Sequence, residues 1–140
     1  DASMLATLQQ INQTAAFNRW AGFEVLRASD GQVELAMPWR DELGQYAGFL
    51  HAGVSAALLD TVCGFAAATV AGRVLASHVS MNCVAPAVGQ RFVAVGTVVK
   101  AGKRQVFTSA ELYAEQDGSR KLVATGTAIL VPVEEGAARG

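Results

Sequence analysis

Charge is scarce in this chain of 140 residues. Lys plus Arg number 11 and Asp plus Glu 12, together 16% of the residues, for a formal net charge of −1. A nucleic-acid binder that works by bulk basic charge is thereby excluded. Cysteine is scarcer still. Two thiols, Cys63 and Cys83, build no disulfide framework, and neither belongs to a CxxC or metal-spaced cluster. Both sit in apolar stretches and read as small buried hydrophobes in a reducing compartment. The stretches Leu43–Leu59 and Val74–Gln90 lack Lys, Arg, Asp and Glu, but each is short for a membrane span and broken by glycine and polar residues. No basic-then-apolar leader opens the sequence, and no repeat or low-complexity tract interrupts it. The expectation is a soluble, cytoplasmic protein with no metal site and no membrane or nucleic-acid partner. Apolar residues are what is abundant, at 51%. That excludes disorder and fits a single domain over residues 1–140. It also asks for surface that is covered by other copies of the chain.

Met4, Leu5, Leu8, Ile11 and Ala15 recur at helical spacing and predict a leading amphipathic helix over about 3–16. Glu24–Ser29 and Gln32–Pro38 flank Asp30-Gly31, a hairpin signal, because glycine allows the positive φ such a turn needs. The stretch Val54–Ala71 is apolar on every side, which predicts a central helix over about 52–71 that is buried all round and ended by Gly72. From Arg73 to Val133 the pattern is that of strands, with turns at Gly102 and Asp117-Gly118. Four consecutive strands with short connections predict an antiparallel meander. The fold class is α+β, an antiparallel sheet wrapped around one long central helix.

Asp60 is the only charged residue between Glu42 and Arg73. An isolated ionised carboxylate in an apolar interior is very costly. Asp60 is therefore a structural cap or pair, a group at a wet subunit interface, or a functional carboxylate in a pocket. His51 opens the same helix. The first N–H groups of a helix lack internal partners and favour negative charge. Ala52 and Gly53 are small enough for a ligand to approach those donors, which suits an oxyanion site. The bland alternative is a histidine that bonds its own loop. From His51 to Asp60 is nine residues, about 13–14 Å along a helix and half a turn out of phase. The two cannot act on one atom within one chain. A shared site needs the helix start of a second copy, and two-fold pairing would create two such sites.

The order of elements resembles the hotdog fold. The segment Gln45–Asp60, with Gln45, His51, Gly53 and Asp60 at these intervals, is similar to the acyl-CoA thioesterases of the phenylacetate-pathway (PaaI-like) branch. The resemblance spans about residues 14–133 and includes Asn82-Cys83-Val84-Ala85-Pro86 ahead of Gly89, and the hairpin Lys100-Ala101-Gly102-Lys103-Arg104. It implies hydrolysis of an acyl-CoA thioester to acid and CoA. Asp60 matches the catalytic carboxylate, as general base or nucleophile. Ala52 matches the N–H that polarises the carbonyl across a subunit interface. Gln45 matches a polar loop residue near the carbonyl or water, and His51 a histidine supporting the loop. Ala52 departs from the usual glycine, which bears on the acyl shape accepted. Gly64 stands one turn after Asp60 where Ser or Thr is common, so hydroxyl help would fall to Thr61. CoA phosphates ask for a cationic rim, and Lys103 and Arg104, with Lys100 nearby, form the dense basic cluster; the alternative is a solvated hairpin tip. Tyr46, Phe49, Phe17 and Trp20 are candidates for an acyl pocket or for plain core. No cofactor is implied, CoA being part of the substrate, and the assembly implied is a homodimer or a dimer of dimers (a homotetramer). A non-catalytic acyl-CoA-binding module and a hotdog hydratase are the alternatives. His78 and Asn82 read as surface or subunit-contact residues.

Overall fold

The computed structural model describes residues 1–134, so the last six residues of the expected 1–140 domain lie outside it. Two short helices lead, α1 (Ala2–Thr14) and α2 (Ala16–Ala21). The predicted leading helix over about 3–16 is α1, which ends two residues earlier, and α2 was not foreseen. Ala15 takes an extended conformation, and the buried side chains of Asn12 and Asn18 bond to each other and to the Phe23 carbonyl, which turns α2 back. Strands β1 (Glu24–Ser29) and β2 (Gln32–Pro38) follow, joined at Asp30-Gly31 with Gly31 at φ 77°. Then come α3 (Ala52–Ala71), β3 (Val74–Cys83), β4 (Arg91–Ala101), β5 (Val106–Gln116) and β6 (Ser119–Pro132). The β5–β6 turn places Asp117 at φ 50° and Gly118 at φ 82°, both central residues positive, as two-residue hairpins require.

The six strands form one antiparallel sheet in the order β1-β2-β4-β5-β6-β3. Only β4, β5 and β6 are a meander. The expected four-strand meander fails at β3, which lies at the far edge beside β6 while β4 pairs with β2. Burial gives the reason. Phe92, Val93 and Ala94 of β4 are all fully buried, so β4 must sit inside the sheet. Strand β3 is exposed along nearly its whole length and goes to an edge. Cys83, at its end, is exposed, which corrects the expectation of two buried thiols. Exposed His78 and Asn82 agree with a surface reading.

Helix α3 crosses the sheet. Its buried residues Ser55, Leu58, Leu59, Val62, Cys63, Ala66 and Ala67 follow helical spacing and make one face. They pack on Leu35, Met37, Phe92, Ala94, Leu112 and Leu130. The helix is long and apolar enough to cross a membrane by length and composition, yet that face is the core of the domain. The expectation of burial on all sides is corrected: within one protomer the opposite face is half-buried. Glycines let the helix settle close to the sheet. A Cβ on Gly96 would stand 2.7 Å from the Val62 carbonyl oxygen, and one on Gly126 would stand 2.9 Å from the Leu59 side chain.

Candidate active site

The loop ahead of α3 is built to hold its start. Gln45 N–H donates to the Phe49 carbonyl (2.7 Å), and the Gln45 side-chain amide donates to the Leu50 carbonyl (3.2 Å). His51 N–H reaches the Leu43 carbonyl, and Leu50 N–H the Ala87 carbonyl. Leu43 and Leu50 are buried beneath, so the loop is pinned at both ends. Its tip turns through Ala47 at φ 59° and Gly48 at φ 76°, and Ala47 is a side-chain-bearing residue in the left-handed region.

His51 is the N-cap of α3. Its Nδ1 accepts the Gly53 N–H at 2.8 Å, and its carbonyl accepts from Val54 and Ser55. A side chain on Gly53 would collide with that imidazole, with Cβ 2.9 Å from Nδ1. Gly53 therefore makes room for the cap, and its N–H is already engaged. The Ala52 N–H has no partner among the described residues. His51, Ala52 and Gly53 are exposed. One unsatisfied donor thus faces outward at the positive end of a 20-residue helix.

Asp60 lies two turns further along, on the half-buried face of α3. It lines a groove of about 900 Å³ whose floor is Asp60, Thr61, Gly64, Phe65 and Ala68. One wall comes from α1 through Met4, Leu8 and Ile11, the other from Val74–Ala76 of β3. Among the described residues Asp60 has no ion pair, and burial alone raises its carboxyl above the ordinary value of 3.8. The structural-pair reading of Asp60 is thereby excluded for a single protomer. Next to it, burial pushes the Cys63 thiol up to about 11, against a lowering contact with the Thr108 hydroxyl, and the Asp60 charge adds to the rise. Such a thiol is inert at neutral pH.

The structure brings Asp60 and Thr61 together in the groove. It places Gln45, His51, Ala52 and Gly53 at the helix start, outside the groove of the same chain. Lys103 and Arg104 sit at the exposed β4–β5 turn, without ion pairs among the described residues, at the end of the sheet near the C-terminus of α3. That end is marked by Val98 N–H bonding the Gly31 carbonyl, and Gly31 N–H bonding the Thr69 hydroxyl. Tyr46 is 88% exposed, and neither it nor Phe49, Phe17 or Trp20 lines the groove. The α1 wall was not foreseen as part of a site; the apolar stripe of α1 read only as a packing face. A smaller polar depression of about 440 Å³ lies on the outer face of the sheet, around Ser80, Thr97, Ser109 and Glu111, away from Asp60. Among the described residues no three His, Cys, Asp or Glu side chains converge on a metal position.

The model of the thioesterase superfamily matches residues 47–121, more than half of the chain. The chain belongs to the thioesterase superfamily. The matched segment contains His51, Ala52, Gly53 and Asp60. A solved thioesterase family protein from Silicibacter pomeroyi is 33% identical, with a TM-score of 0.88 over 91% of this chain and 96% of that one. AziG from S. sahachiroi is 26% identical, with a TM-score of 0.77 over 86% of this chain and 98% of that one. Zebrafish thioesterase superfamily member 2 shares the fold at 24% identity, with a TM-score of 0.81 over 92% of this chain and 98% of that one. No match among curated proteins was found. The hotdog architecture expected from the sequence is therefore established for this superfamily member.

Proposed function

We propose that this superfamily member hydrolyses acyl-CoA thioesters in the cytoplasm, within the PaaI-like branch, as a homodimer or a dimer of dimers. The observation that carries the reading is Asp60: a carboxylate with no counter-ion among the described residues, its pKa raised by burial, on the floor of a largely apolar groove. Such a group is costly to keep and marks a place where charge is used.

The chemistry follows from the parts. A thioester carbonyl is electrophilic and its thiolate leaves readily. Asp60 takes a proton from water as it attacks, or attacks the carbonyl itself. The oxyanion that forms needs a donor, and the free Ala52 N–H of a partner supplies it, reinforced by the helix dipole. Within one chain Ala52 and Asp60 are eight residues apart, about 12 Å along the axis, so the donor comes from another copy. The exposed edge strand β3, with Leu75 and Val79 on its surface, is the edge on which that copy pairs. Gln45 fixes the loop that aims the donor, and His51 fixes the cap. Gly53 leaves space for that cap, and Thr61 offers a hydroxyl beside the carboxylate. Lys103 and Arg104 offer a cationic rim for the phosphates of CoA; they lie toward the C-terminal end of α3, so, like the oxyanion donor, they reach the site from a second copy. No cofactor beyond the CoA of the substrate enters.

The test is a panel of acyl-CoA esters with detection of released thiol. Wild-type protein releases CoA from at least one ester, and Asp60→Asn reduces kcat by about 10²-fold or more. Undiminished turnover by a folded Asp60→Asn variant refutes the assignment.

A further inference from the structure

Glycine is costly in the interior of a helix, and two glycines under α3 have a packing reason to be there. Gly96 and Gly126 admit the helix to the sheet, with neighbours under 3.0 Å from any added Cβ. Gly64 has no such reason. It sits in the middle of α3, and a Cβ there would meet nothing within 4 Å. The local preference for alanine is unopposed by packing. What Gly64 does border is the groove, one helical turn beyond Asp60.

Asp60, Gly64 and Ala68 are spaced by four and share one strip of the groove floor. Leu8 and Ile11 on α1 and Val74 and Leu75 on β3 give the side walls an apolar surface, interrupted by Thr7 and Thr14 on α1 and Arg73 ahead of β3. From Asp60 to Ala68 is about 12 Å along the axis, the span of an extended chain of roughly eight to ten carbon–carbon bonds of about 1.5 Å with their zigzag. A side chain on Gly64 would stand in that strip immediately after the carboxylate. We propose that Gly64 is a specificity-determining residue whose missing side chain keeps this strip open for a linear medium-chain acyl group. The assignment rests on the thioesterase reading of Asp60 and adds the class of acyl group to it. The thioester carbon lies at Asp60 and the tail runs along α3 toward Ala68. The two walls are drawn from segments far apart in the chain, which makes the strip a cleft and not an open helix face.

The experiment measures thiol release from straight-chain CoA esters, butyryl to dodecanoyl, by wild type, Gly64→Leu and Ile11→Trp. Wild-type kcat/KM rises by about fourfold per added methylene up to octanoyl or decanoyl, the gain expected for burying each group. Gly64→Leu lowers the octanoyl-to-butyryl ratio of kcat/KM by about tenfold or more. Ile11→Trp, an exposed site on the opposite wall where folding is not at stake, lowers the decanoyl-to-butyryl ratio in the same direction. Folded variants that keep the wild-type ratios overturn the acyl-strip assignment while leaving the thioesterase reading intact. A Gly64→Leu variant that loses its oligomeric mass and keeps its ratio also overturns it, by making Gly64 a contact between copies. Absence of thiol release from every ester by wild type overturns the thioesterase reading itself, and the strip with it.

Discussion

Two Gly→Ala substitutions, one in β4 and one in α3, are expected to act with opposite sign. At Gly96 an added Cβ would stand 2.7 Å from the Val62 carbonyl oxygen and 2.9 Å from its carbonyl carbon. Ordinary contact begins near 3.4 Å, so α3 must rise by about 0.7 Å or β4 must sink, since packed interiors hold little free volume. Overpacking of this kind costs about 1–3 kcal/mol, and the usual gain of alanine over glycine in a strand returns about 0.5–1 kcal/mol. The net loss is up to about 2.5 kcal/mol and centres near 1 kcal/mol, a fall in Tm of roughly 3–5 °C at that centre for a domain of this size. At Gly64 there is no neighbour to displace, so alanine gains up to about 1 kcal/mol and Tm rises by a few degrees. Thermal and urea unfolding of both variants read these values directly. Val62 is two residues from Asp60, so lifting the helix also misplaces the carboxylate, and thioester turnover by Gly96→Ala falls by about 10-fold to 10²-fold. A Gly96→Ala protein as stable as wild type would refute the argument that this glycine sets the height of α3.

Because burial raises the Asp60 carboxyl, turnover should rise through a pKa above 3.8 as the ionised form appears. The same shift has a stability consequence. The folded state holds this proton more tightly than the unfolded chain, so stability falls as pH rises from 3.8 through the raised value. Asp60→Asn removes that slope, and the Tm of the variant relative to wild type increases across the window. A constant Tm difference would contradict it. Cys63, with its thiol near 11, should resist alkylation at pH 8 in a Cys83→Ser background until the protein unfolds; rapid native labelling would show that the core is open there.

Much of the layout was legible from local pattern. Asp30-Gly31 and Asp117-Gly118 marked their turns because positive φ is a local demand. The range 52–71 for α3 was readable because apolar composition and Gly72 bound it. The nine-residue interval from His51 to Asp60 separated the two halves of the candidate site before any coordinates, since helix geometry alone forbids their meeting. The His51 cap was one of two open readings. It was settled by the imidazole accepting the Gly53 N–H, which a sequence does not record. The meander failed because strand neighbours are chosen by burial on both faces of the sheet, and β3 and β4 look alike in alternation. The break at Ala15 was hidden because it depends on Asn12 and Asn18 finding each other across the chain.

Sequence alone determined the element types, their order, and the presence of one lone carboxylate in an apolar helix. Those are properties of short windows, where backbone preference and periodicity act. Only the tertiary structure decided which strand lies at the edge, that α3 hides one face and offers the other, and that α1 and β3 wall a groove beside Asp60. Those outcomes depend on packing between segments far apart in the chain, where a single atom, such as the missing Cβ of Gly96, fixes how close two layers come.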